Sequence, residues 1–254
     1  MQNVMPPTGV PATVVPFYQS HEGEVCAALL RDRLQWFWPD LRQQKVLGIG
    51  YTQPYLGAWR GRGALCVSAV LGRHGSALMT LQQEGGRLPP EERTCLVDAQ
   101  HLPFGDEAFD RILLVHALQD EEQAVTLLRA AGRVLRDDGR MVLIVPNWFG
   151  GRLRQRGTPF AQETAFTRGS LRRVLAHAML HVERRDEALF LPAGQGCTSL
   201  QRGQASDIAG KVLSPGLGSL RLVEVVKDVY SARPLPVAER KVWFSKMMVP
   251  VQDA

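Results

Sequence analysis

Five short apolar runs punctuate the chain: KVLGI at 45–49, ALCVSAV at 64–70, RTCLV at 93–97, RILLV at 111–115 and RMVLIV at 140–145. They are continuous rather than alternating. A strand with one wet face alternates apolar and polar residues, whereas a parallel strand covered on both faces does not. Stretches of helical spacing flank these runs. Cys26, Leu30, Leu34 and Phe37 recur at intervals of four, four and three, after Ser20 as N-cap with Glu22 and Glu24 in the first turn, and Pro39 ends the segment. Asp120-Glu121-Glu122-Gln123 has the form of a capping box, Ala124, Leu128, Ala131 and Leu135 share one face, and Asp138-Gly139 stops the pattern. Strand, helix and strand in this rhythm imply right-handed crossovers and an α/β, doubly wound, mostly parallel sheet.

The pattern loosens beyond Trp148. Residues 150–165 are polar and rich in Gly and Arg, a surface loop; Thr167 can cap a helix carrying Leu171, Val174, Leu175 and Ala178; Ala188 to Leu191 reads as a strand. Gln195 to Leu217 is Gly-rich and polar, an insertion with a short central helix at best. Leu220 to Tyr230 is the last strand, whose Arg221, Glu224 and Lys227 suit a position near an edge. The first sixteen residues, Pro-rich and unpatterned, form a loose arm. The organisation expected is an N-terminal arm and helix over 1–44, followed by one domain over 45–254 with an insertion at about 195–217.

Composition narrows the class. With 254 residues, 45% hydrophobic and 22% charged, the chain can bury a sizeable core and is not a disordered one. No apolar run approaches the roughly 18–20 residues of a membrane span. The first residues lack the basic region of a secretory signal and carry four prolines. Cys26, Cys66, Cys95 and Cys197 stand far apart with no metal spacing, which suits buried thiols in a reducing cytoplasm and no metal site. The net charge of +5 is diffuse and does not call for a nucleic-acid partner.

Ligands of open parallel sheets bind beyond the carboxyl ends of the strands, so the strand ends carry the candidate chemistry. Gly48-Ile49-Gly50-Tyr51-Thr52-Gln53-Pro54 follows the first run, and its glycines allow a ligand to approach the backbone. The second run ends on Ser68, Ala69 and Val70, with no acid until Glu84 to clamp a ribose; Ser68 can supply one hydrogen bond. Asp98, ending the third run beside Ala99, can accept from an adenine amino group. Val115 and His116 end the fourth, and a histidine with an ordinary pKa near 6.5 suits a general base. Asp120 is better explained as a helix cap, His21 and Tyr18 as plain surface residues with part of a lid as the alternative, and His74, His177 and His181 show no metal spacing. Trp36 and Trp38 flank Phe37, and Arg152, Arg154 and Arg156 alternate in the loop after the fifth run, where anionic groups could be met.

The run DAQHLPFGDEAFDRILLVHAL resembles the middle of class I S-adenosylmethionine-dependent methyltransferases, in the small-molecule, type 11-like branch whose pattern is DA-x-x-LPF-x-D-x-x-FD followed by a strand. LLRAAGRVLRDDGRMVLIVPN resembles the helix, turn and strand that come next, and Phe166-Thr167 the start of a later helix. The similarity covers about 45–191. It implies a Rossmann-like, seven-stranded sheet and S-adenosylmethionine as cofactor. Residue by residue, Gly48 stands where the family usually has an acid, Gly50 matches its central glycine, and Tyr51, Gln53 and Pro54 replace its remaining small residues. Asp98 and Ala99 match the adenine side, and Val115 and His116 the strand end facing the sulfonium. Of the family's anchors, the loop acid and the ribose acid are both absent. An Asn-Pro-Pro-Tyr-like element is absent at Val115-His116-Ala117-Leu118, which speaks against amino-group methylation of bases or protein glutamine.

The foremost reading is therefore a methyltransferase acting on a small molecule, with Gly48, Gly50, Ser68, Asp98, Ala99 and Val115 toward the cofactor and His116 near the methyl. A second is a methyltransferase-like protein that binds or scaffolds without catalysis, with a protein partner or a second copy. A third, suggested by the charge and the arginine loop, is an RNA methyltransferase.

Overall fold

The computed structural model describes residues 13–72, 93–118, 120–150, 158–190 and 198–228. A short helix α1 (Val14–Tyr18) leads into α2 (His21–Phe37), followed by β1 (Lys45–Gly50), α3 (Gln53–Arg60), β2 (Leu65–Leu71), β3 (Arg93–Val97) and β4 (Phe109–Val115). The chain continues through α4 (Glu121–Val134), β5 (Leu135–Pro146), a 3-10 turn (Pro159–Gln162), α5 (Arg168–His177), β6 (Leu180–Ala188), α6 (Leu200–Leu213) and β7 (Leu220–Lys227).

The seven strands lie in the order β3-β2-β1-β4-β5-β7-β6. β1 to β5 pair in parallel, while β7 runs antiparallel to both β5 and β6. The α/β, doubly wound fold expected from the apolar runs is the one observed. From β1 the chain winds outward through β2 to β3, then returns to β4 on the other side. The order thus reverses between β1 and β4, whose carboxyl ends flank the crevice where such sheets take ligands.

Alternate strand residues feed two apolar layers. Val46, Leu113, Val115, Val142 and Ile144 face one way, against α1, α2 and α3. Leu47, Ile49, Ile112, Leu114, Met141 and Leu143 face the other, against α4 and α5. The helices start where their caps dictate: Ser20 accepts from Gly23 N, Asp120 from Gln123 N, and Thr167 and Ser170 form a reciprocal capping box.

Four elements differ from the sequence reading. Residues 14–16, read as the end of a loose arm, belong to α1, held by buried Val14, Phe17 and Tyr18. The strand expected at 188–191 instead spans Leu180–Ala188; its alternating exposed and half-buried residues are those of an edge. β7 does lie near an edge, next to β6, but it is enclosed between β5 and β6 and two of its charges are buried: Arg221 is 3% and Glu224 0% exposed. Glu224 is tolerated because Trp38 Nε1 (2.8 Å), Arg184 Nε (2.5 Å) and Arg140 (3.2 Å) surround its carboxylate. Finally, the stretch expected to hold a short helix at best carries the fourteen-residue α6.

Among the described residues no helix is long and apolar enough to cross a membrane, and no group of three His, Cys, Asp or Glu could hold a metal ion. Cys26, Cys66 and Cys95 are free thiols, and Cys197 lies outside the described residues.

Candidate functional site

The turn leaving β1 is built by one close backbone approach. Gly50 has φ +89°, and a Cβ there would stand 2.1 Å from the carbonyl oxygen of Val115. The next amide, Tyr51 N, donates to that same oxygen at 3.0 Å. Only glycine satisfies both the left-handed backbone and the contact. Gly50 and Val115 are register partners, so the tips of β1 and β4 are locked together.

Gly48 is enclosed differently. A Cβ at this position would meet Thr52 Oγ1 at 2.1 Å and Leu56 Cδ1 at 2.8 Å. Thr52, fully buried, lies over it and brings its hydroxyl to 3.5 Å from Ser68 Oγ. Ser68 pairs with Gly48 in the ladder and is 1% exposed. Because β2 continues to Leu71, Ser68 lies inside the strand rather than at its end, with its hydroxyl turned toward Thr52. Residues 73–92, including Glu84 and His74, lie outside the described residues.

Asp98 and Ala99 follow β3 at the same end of the sheet, half-buried. Asp98 Oδ1 accepts from Gln100 N at 3.0 Å, which closes a tight side-chain turn, and Oδ2 is 3.8 Å from His101 Nδ1.

His116 occupies the residue after β4 in a left-handed conformation, φ +55°, which costs a non-glycine residue about 1–2 kcal/mol. Its imidazole is wholly buried. Nδ1 meets the carboxylate of Glu163, just beyond the 3-10 turn, and Nε2 lies 2.9 Å from Tyr18 Oη at the end of α1. Tyr18 Oη in turn lies 2.5 Å from Tyr55 Oη on α3. Phe160 stacks on the imidazole at 4.3 Å, and Tyr51 packs on Tyr18 at 5.3 Å. Burial pushes both phenols well above their ordinary pKa. An ionised Glu163 can only accept, so Nδ1 donates to it; a neutral imidazole then accepts at Nε2 from Tyr18, and Tyr18 accepts from Tyr55. The result is a polar chain of one sense, Tyr55 to Tyr18 to His116 to Glu163, enclosed by aromatic rings.

Of the residues singled out from sequence, Gly48, Gly50, Ser68, Val115 and His116 are gathered on β1, β2 and β4, with Asp98 and Ala99 two strands away at the end of β3. Asp120 is a helix cap. His21 Nε2 lies 3.1 Å from Thr198 O, linking the start of α2 to the segment before α6, and His177 and His181 are exposed. Trp36 is exposed and Trp38 buried. Arg152, Arg154 and Arg156 lie outside the described residues. Thr52, Tyr55 and Glu163 were not singled out. Tyr55 and Glu163 sit 37 and 47 residues from the partners they bond, and no spacing rule joins them.

Residues 48–143 match the family model described as a methyltransferase domain. A search of curated proteins found no match. Among solved structures, the [4+2]-cyclase SpnF is 17% identical, with a TM-score of 0.54 over 89% of this chain and 99% of that one. Geranyl diphosphate C-methyltransferase from Streptomyces coelicolor A3(2), solved with Mg2+, geranyl diphosphate and S-adenosyl-L-homocysteine, is 13% identical, with a TM-score of 0.54 over 82% of this chain and 86% of that one. An S-adenosylmethionine-dependent methyltransferase from Mesorhizobium loti is also 13% identical, with a TM-score of 0.50 over 82% and 99%. Residues 48–143 thus carry a methyltransferase-domain pattern, and the seven-stranded sheet has the fold of these methyltransferase and cyclase structures.

Proposed function

We propose that the protein is an S-adenosylmethionine-dependent methyltransferase acting on a small organic acceptor. The observation that carries this reading is the enclosed Tyr55–Tyr18–His116–Glu163 chain at the tip of β4, beside the glycine turn of β1. The chain holds a buried histidine of strained backbone between Tyr18 and Glu163, at the point where the strand order reverses, and such strain gathers at functional sites.

The residues present fit the cofactor in part. Gly50 gives close backbone approach at the β1 turn, and Asp98 and Ala99 offer a half-buried carboxylate and a small neighbour for an adenine edge. A carboxylate at position 48 is ruled out sterically by Thr52. The amino-acid end would therefore be held by backbone groups of the turn, with Ser68 and Thr52 as neutral hydroxyls behind it. S-adenosylmethionine supplies an activated methyl group, and much of the acceleration of such a displacement comes from alignment. The role of the chain's residues is to hold the acceptor still, exclude water and receive a proton. Nε2 of His116 is taken by Tyr18 Oη, so a proton reaches the imidazole through that hydroxyl, with Glu163 on Nδ1 to steady the imidazolium. The wide spacing of the four cysteines along the sequence supports a reducing, cytoplasmic setting.

A second reading is a protein that keeps the fold and binds without catalysis. Thr52 over Gly48 favours it, because the loop is packed without the usual anchoring acid. The cyclase among the structural neighbours carries a different named activity on a similar fold, so fold alone does not choose. Calorimetric titration with S-adenosylmethionine and S-adenosylhomocysteine separates the readings, followed by incubation of methyl-labelled donor with a small-molecule extract. Binding of both ligands and label entering a small product support the enzyme. No heat and no thermal shift at millimolar ligand overturn it, and binding without label transfer favours the second reading.

A further inference from the structure

We propose that the cleft between α5 and the β6–β7 hairpin is a binding site for an oxyanion carried on an apolar stem, that is, a phosphoryl or carboxylate group attached to a hydrocarbon body. This inference does not depend on methyl transfer. Four arginines line the cleft: Arg168 and Arg172 from α5, Arg185 from β6 and Arg221 from β7. Its floor is apolar, made by Leu171, Leu175, Val182 and Val223.

The backbone places them there deliberately. Arg168 and Arg172 are four apart on a helix and share a face. On β7, Arg221, Val223 and Val225 point to the α5 side of the sheet. On β6, Val182 and Arg185 would point to opposite faces of a regular strand. A register shift between Val182 and Arg184 pairs Val182 with Val225 and Arg185 with Val223, so both come to the α5 face. Such bulges re-aim a side chain, and here the one re-aimed is a guanidinium.

The charges are not balanced within the protein. Glu187 is the acid beside the cleft, and its Oε2 is taken by Gly216 N at 2.9 Å and Gly218 N at 3.3 Å. Its Oε1 stands 3.9 Å from Arg168, the far limit of an ion pair. The other acids of β6 are engaged elsewhere, Glu183 with Arg140 and Asp186 with Lys211. Among the described residues, Arg172 and Arg185 make no ion pair. Arg221, 3% exposed, is anchored by Asn147 Oδ1 at 2.7 Å; burial lowers its pKa, Glu187 opposes that as one acid, and Arg168 and Arg185 add to it as two like charges. Arg168, Arg172 and Arg185 are exposed around the buried Arg221, so their guanidinium groups are open to an oxyanion that accepts from two or three of them. The apolar floor would then cover a hydrocarbon stem.

The test uses the intact chain and defined probes: hexyl phosphate, hexanoate, inorganic phosphate, hexanol, and sodium chloride at matched ionic strength, followed by amide NMR titration. Hexyl phosphate or hexanoate should bind, with shifts centred on 168–175, 182–185 and 221–223. Inorganic phosphate should bind at least threefold more weakly, and hexanol not at all. The double variant Arg172→Gln/Arg185→Gln, at solvent-facing positions, should melt like the parent and weaken hexyl phosphate at least tenfold. Binding no stronger than chloride, equal binding of hexanol, or an affinity unchanged in the double variant each overturns the site. Whichever headgroup binds tighter, phosphoryl or carboxylate, identifies the ligand's anion.

Discussion

Thr52 fills the space that a side chain on Gly48 would need, its hydroxyl 2.1 Å from the ideal Cβ position. Glycine at 48 and threonine at 52 are therefore one packing solution, and reintroducing a side chain at 48 alone overpacks the turn. Gly48→Ala should destabilise by about 1–3 kcal/mol in urea unfolding. Combined with Thr52→Gly, the double variant should lose less than the sum of the singles, by about 1 kcal/mol. Strict additivity would show that the two residues do not share this space.

The carboxylate of Asp98, at the carboxyl end of β3, is the acid proposed above to meet an adenine edge. If it accepts from the adenine amino group, Asp98→Ala should weaken S-adenosylhomocysteine by about 1–3 kcal/mol, or roughly 5- to 150-fold. Asp98→Asn keeps an oxygen for Gln100 N, so it separates the loss of the turn from the loss of the ligand contact. Calorimetry on both variants checks this; unchanged affinity in Asp98→Ala removes Asp98 from the site.

Tyr18 is the hinge of the polar chain, since its hydroxyl touches both Tyr55 and His116. Tyr18→Phe leaves Nε2 of a buried imidazole without its partner, at a cost of about 1–3 kcal/mol. A double-mutant cycle of Tyr18→Phe with Glu163→Gln should show coupling above about 0.5 kcal/mol, because both act on one imidazole. Label transfer, where observed, should fall further in Glu163→Gln than the stability loss explains. Zero coupling would mean that the hydrogen bonds are independent.

Legibility followed burial. β1, β2, β4 and the second half of β5 were readable because their buried stretches appear as apolar runs, and α2, α4 and α5 because their caps and buried stripes coincide. Helix α6 was not, because it turns its apolar residues outward: Ile208, Val212 and Leu213 are exposed, while Gly203 and Asp207 are buried. Helix α1 is too short to display a period. β6 was misplaced because its residues 181–187 are polar apart from Val182, as an edge strand allows, and the apolar Leu189 and Phe190 beyond it pack in the loop. Within the site, Gly50, Asp98 and His116 stood at strand ends where a reader looks. Glu163 and Tyr55 reach His116 and Tyr18 only through tertiary packing, which leaves no periodic trace. The arginine cleft was equally hidden, since a bulge at 182–184 decides which way Arg185 points.

Asp207 anchors α6, and its titration gives the insertion a pH dependence. Its Oδ1 accepts from Leu189 N at 2.9 Å and Phe190 N at 3.3 Å, whereas Oδ2 has no hydrogen bond and lies 3.6 Å from Arg33. Burial raises its pKa, outweighing those amides and Arg33. A raised carboxyl pKa means that the folded state holds the proton more tightly than the unfolded chain. Ionising Asp207 therefore costs stability as pH rises from the unfolded carboxyl value through the folded one, and the cost is fully present above both. Asp207→Asn keeps an oxygen for the two amides and removes the charge. It should match or exceed the parent at pH 7, and the parent should gain on it as pH falls into the carboxylate range. Asp207→Ala, which orphans two buried amides, should lose about 1–3 kcal/mol at every pH. Urea unfolding of the three proteins between pH 4 and pH 7 measures this (roughly the span over which a shifted carboxyl titrates). A parent that instead loses ground to Asp207→Asn on acidification would show the carboxylate to be held ionised by Arg33.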